Sequence, residues 1–102
     1  MDNKLIAEIK RRGIPPLYAQ DNSQDPTVYL EIYRFDFSWR WFVSECAVRE
    51  DGGGLFFGFI VGGFKEWGYF PIPEPDTARC PLLVNYGFEP VPFSELKKEC
   101  RL

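Results

Sequence analysis

The 102-residue chain contains no histidine. That absence removes Ser-His-Asp and Cys-His dyads, most zinc hydrolase sites and the usual general base near neutral pH. Cysteine is scarce and odd in number, at Cys46, Cys80 and Cys100. A small secreted disulfide scaffold normally carries four, six or eight cysteines, and a zinc knuckle needs closely spaced pairs. These three thiols are expected to be structural or incidental, in a reducing cytoplasm. No apolar run approaches the ~20 residues of a membrane span. The opening MDNKLIAEIKRRG lacks the apolar stretch and cleavage site of a signal peptide. No membrane association is expected.

Excess positive charge is missing too. Twelve Lys and Arg against fifteen Asp and Glu give a net charge of −3. Nucleic-acid binding would call for a basic face, so it is not expected; it would require Lys4, Lys10, Arg11, Arg12, Arg40 and Lys65 to converge. What the chain does have is rings: ten Phe, five Tyr and three Trp, 18% of all residues. Broad aromatic faces suit a half-buried pleated sheet. Nine Gly and nine Pro predict many turns and few long helices.

Residues 2–12 read as a short amphipathic helix with Leu5, Ile6 and Ile9 inward and Lys4, Glu8, Lys10, Arg11 and Arg12 towards solvent. Asp2 or Asn3 can cap its start, Gly13 can close it, and Pro15-Pro16 forbids continuation. In the polar turn segment 19–26, Asp21, Asn22 and Asp25 can bond their own backbones. Strands are predicted at Thr27–Phe35, Trp39–Cys46, Leu55–Gly63 and Trp67–Ile72. The first two form a hairpin through Asp36-Phe37-Ser38, and Gly52-Gly53-Gly54 makes the next turn. Alternation places Val28, Leu30 and Ile32 together. It also groups Trp39, Trp41, Val43 and Glu45 on one face, and Gly58 with Gly62 where a large group presses close. Pro73–Pro81 reads as loop, and residues 82–93 as an extended, proline-punctuated segment. Ser94 caps a final short helix over Glu95–Glu99. The fold class is therefore α+β: one domain over residues 1–102, with a small antiparallel sheet of four to five strands and short terminal helices.

Few side chains suggest chemistry. Gly52–Gly54 lies between strands behind two acids, not in a phosphate loop. Glu45 and Glu66, each placed near indoles, could form a carboxylate pocket. The plainer alternative is a solvated strand end with a salt bridge to Arg40 or Lys65. Trp39, Trp41, Trp67 and Tyr69 cannot all be buried cheaply, since each indole N–H or phenol wants a partner. They form either core under the helices or an exposed binding face. The candidate site is thus Trp39, Trp41, Glu45, Glu66, Trp67 and Tyr69, with no cofactor, no metal and no evident small-molecule ligand.

Several segments carry a resemblance: Pro16–Tyr18, Asp25–Val28, Trp39–Glu45, Phe56–Gly62, Glu66–Phe70 and Phe88–Leu96. In order and spacing they resemble the family catalogued as domain of unknown function 2958, over residues 14–96. One stretch departs from that pattern: PIPEPDTARCP stands where the family opens a helix. The resemblance implies no activity. It implies an accessory protein of plasmids, phages or other mobile elements, connected with DNA transfer or escape from host defence. Together with the aromatic face, it points to a non-enzymatic module that binds another protein. A small enzyme or ligand-binding protein built around Glu45, Glu66 and Tyr69 is the alternative.

Overall fold

The computed structural model describes residues 3–72 and 82–102. The expectations for Asp2, the 73–81 loop and Cys80 lie outside the described residues. The described chain runs α1 (Asn3–Arg12), β1 (Thr27–Val28), β2 (Leu30–Arg34), β3 (Arg40–Val48), β4 (Gly54–Val61), β5 (Lys65–Ile72), β6 (Leu82–Asn85), β7 (Val91–Pro92) and α2 (Phe93–Cys100). Five strands form an antiparallel sheet in the order β5-β4-β3-β2-β6, and β1 pairs with β7 in a separate two-stranded ribbon. This is the α+β architecture that the alternation predicts. Among the described residues no helix is long and apolar enough to cross a membrane.

Both faces of the large sheet are covered. On one, Leu5 and Ile9 of α1 pack with Leu30, Ile32, Trp41, Val43, Phe56, Ile60, Phe70 and Ile72. On the other, Leu96 of α2 joins Val28 and Phe42, flanked by Phe59, Trp67, Val91 and Phe93. A short helix gains most of its stability from such docking. Gly13 ends α1 at φ +65°, where its N–H bonds Lys10 O and the Ile14 N–H reaches Ile9 O. That is a Schellman closure, which favours glycine at its left-handed position.

Three local expectations are corrected. The predicted strand Thr27–Phe35 breaks at Tyr29: β1 leaves the sheet for β7, so Val28 lies in the α2-side core rather than beside Leu30 and Ile32. Arg12 does not face solvent. Its side chain is 4% exposed and donates to Tyr29 O, Tyr86 O and Phe88 O, with Glu8 as counter-ion. A buried guanidinium is tolerable when its donors are met, and these partners tie α1 to the break between β1 and β2 and to the segment after β6. Finally, α2 begins at Phe93, and Ser94 is not its cap. The carboxylate of Asp25 takes that role from across the chain, accepting from the Ser94 N–H at 2.8 Å and its hydroxyl at 2.6 Å. A negative charge at a helix start also complements the helix dipole.

The glycine expectation is met at Gly62, where a side chain would strike the Trp39 indole; at Gly58 the close neighbour is instead the backbone of Phe42 and Val43 on the adjoining strand.

Candidate functional site

The geometry turns on a β-bulge. β3 and β4 pair Val43 with Gly58 and next Glu45 with Phe57, so Ser44 is the extra residue. A bulge reverses the alternation beyond it. Cys46 consequently joins Trp41 and Val43 on the α1 side, while Glu45 turns to the α2 side with Phe42 and Phe57. The expected grouping of Glu45 with Trp39 and Trp41 is therefore wrong.

The bulge is pinned by the turn segment that precedes β1. Glu45 is 2% exposed, and its two oxygens accept the Tyr18 N–H at 2.8 Å and the Gln20 N–H at 2.7 Å. It is neither a solvated strand end nor a partner of Arg40, whose Nε bonds Glu31 at 2.7 Å. The Gln20 amide completes the lock. Its two N–H protons are shared among Thr27 O, Ser44 O and Ser44 Oγ, and its oxygen accepts from the Thr27 N–H. Tyr18 adopts φ +72°, a conformation costly for a bulky residue and held by its surroundings.

Between this segment and the sheet lies a cleft of about 280 Å³, lined by residues that include Gln20, Asp21, Ser44, Glu45, Phe57 and Trp67. Phe57 stacks on Trp67 with centroids 5.7 Å apart and tilts against Tyr69 at 4.8 Å. Tyr69 in turn faces Tyr18 at 6.3 Å. The two tyrosines are 48% and 62% exposed, so aromatic surface stands open beside a buried carboxylate. Partial desolvation, a hydrogen bond with Tyr18 and the nearby charges of Asp21 and Glu45 raise the Tyr69 phenol above its ordinary value.

Of the six candidate residues, the fold brings together Glu45, Trp67 and Tyr69. Trp41 is 3% exposed within the α1-side core, and Trp39 stacks on it at 6.2 Å with Phe64 against its edge. Glu66 is exposed on β5 opposite Ile60, which belongs to that same α1-side core. A continuous face of Trp39, Trp41, Trp67 and Tyr69 does not exist, because the sheet separates them. Sequence reasoning missed Tyr18, Gln20, Asp21 and Phe57. Strand alternation offered a signal only for Phe57; the others are turn residues whose placement depends on the bulge.

Chemically, the cleft offers fixed acceptors and ring faces. With both oxygens held by amides, Glu45 serves as an oriented anion. Among the described residues, no group of three or more cysteine or carboxylate side chains is placed to share a metal ion. Comparison of the chain with protein-family models, with curated proteins and with solved structures finds no match.

Proposed function

We propose that this protein is a non-enzymatic binding module that engages another protein through the cleft beside Tyr18 and Tyr69. One observation carries the reading: exposed tyrosine rings adjoin, through Phe57, a cleft lined by a buried, amide-anchored carboxylate. Such aromatic anchors with an adjacent polar group are typical of interface hot spots. The resemblance described above supplies the proposed setting, an accessory protein of a mobile genetic element with a role in DNA transfer or counter-defence. Cys46 and Cys100 are free thiols, which supports a cytoplasmic location. Nucleic acid fits less well as a partner, since Arg11 pairs with Glu8, Arg12 is buried and Arg40 pairs with Glu31.

A second reading, a ligand-binding protein or small enzyme, draws on the same carboxylate between Phe57 and Trp67. At 280 Å³ the cleft falls just below the usual ligand-pocket range of about 300–1,000 Å³, which favours an occupant the size of one side chain.

The test is a photo-crosslinking residue at position 69, with position 99 as control, in cells expressing the protein. The captured polypeptide is then purified and its affinity measured by calorimetry. Capture at 69 alone is expected, with Tyr18→Ala and Tyr69→Ala each weakening binding about tenfold or more. Equal capture at both positions, or undiminished affinity in both variants, refutes the proposal. Trp41→Ala is no probe here, because it would open the core.

A further inference from the structure

We infer that the cleft receives an arginine side chain presented by the partner protein; this rests on the binding-module reading and specifies its occupant. Charge is the first argument. Asp21 and Glu45 both line the cleft, so two acidic side chains border the same space. Across the whole chain the net charge is −3, which favours approach of a basic partner.

Geometry is the second. Each carboxylate oxygen has two acceptor positions. In Glu45, Oε1 spends one on Tyr18 and Oε2 one on Gln20. Each oxygen therefore keeps acceptor capacity in a carboxylate whose orientation the two amides fix. An oriented carboxylate suits the N–H donors of a guanidinium.

The walls are the third. Phe57 and Trp67 line the cleft and Tyr69 adjoins them through Phe57. A guanidinium is planar, weakly hydrated and stacks on rings, whereas an ammonium is compact and strongly hydrated. A cleft with aromatic walls favours the former.

The experiment titrates the ¹⁵N-labelled protein with acetyl-Gly-Arg-Gly-amide, its citrulline analogue and its lysine analogue at physiological salt. Citrulline keeps the shape and removes the charge. The expected result is saturable shifts of the Trp67 indole and the Tyr18 and Gln20 amides with arginine, at a Kd on the order of 1 mM. Citrulline should bind about tenfold more weakly or worse, and lysine more weakly than arginine. Asp21→Asn, an exposed change that leaves the core alone, should weaken the arginine peptide about threefold. The inference is overturned if citrulline or lysine matches arginine, if the shifts map elsewhere or are absent, or if Asp21→Asn has no effect. Should the peptide fail while Tyr69→Ala still abolishes partner binding, the arginine assignment falls and the module stands. If both fail, the module falls as well.

Discussion

Replacing Glu45 by glutamine changes one atom and tests why the site exists. The carboxylate satisfies two main-chain N–H groups with two oxygens. Glutamine has one oxygen and one NH₂, so either Tyr18 N–H or Gln20 N–H must face a donor. Hydrogen bonds to charged groups contribute about 1.5–3 kcal/mol each, and the abandoned part-buried N–H adds a desolvation cost. Against this, a neutral side chain escapes the cost of burying an anion. The loss prevails because the backbone donors stay where they are. We expect about 2 kcal/mol of destabilisation for Glu45→Gln and about 3–4 kcal/mol for Glu45→Ala, which leaves both donors bare. In a domain of this size, 2 kcal/mol corresponds to a fall in Tm of about 8–16 °C. Urea denaturation followed by circular dichroism reads the energy, and hydrogen exchange of the Tyr18 and Gln20 amides reads the mechanism. A Glu45→Gln protein melting within about 2 °C of the parent, with both amides still protected, would show that the bulge is not held this way.

Two other outcomes follow from the same contacts. Arg12→Lys keeps the charge but cannot reach Tyr29 O, Tyr86 O and Phe88 O together, so stability should drop by about 2 kcal/mol and the 86–90 segment should become protease-sensitive; an unchanged urea midpoint and digestion pattern would contradict this. The Asp25 carboxyl is held below its ordinary value of 3.8 by the Ser94 hydroxyl and then by the Ser94 N–H. A depressed folded value means that its contribution is complete above the usual carboxylate range and is lost as pH falls through that folded value. Denaturation curves at about pH 5 and about pH 2.5 should therefore lie closer together in Asp25→Asn than in the parent. Equal separation in the two proteins would remove Asp25 from the account of how α2 is capped.

The legible parts of the fold are those governed by neighbours in the chain. Gly13 before Pro15-Pro16 marks the end of α1, and Gly52–Gly54 marks the β3–β4 turn, where Gly52 takes φ +86°. Period-two alternation locates β2 through β5, and the small residues Gly58 and Gly62 announce close approaches. The candidate site was half legible. Glu45, Trp67 and Tyr69 do converge, although the reason offered for Glu45, a shared face with Trp39 and Trp41, was the wrong one.

What sequence alone could not reach was decided by contacts between distant residues. The Ser44 bulge leaves no mark in the pattern: an extra residue is visible only once β3 has a partner to be counted against. From that residue onward every side chain changes sides, which delivers Glu45 to the cleft and Cys46 to the core. Likewise Arg12 resembles any solvent-facing helix residue until carbonyls 17, 74 and 76 positions away close around it. Local propensity determined which elements form, because it acts over a few bonds. Tertiary packing determined which face each residue serves, because burial and hydrogen-bond satisfaction are properties of the assembled chain.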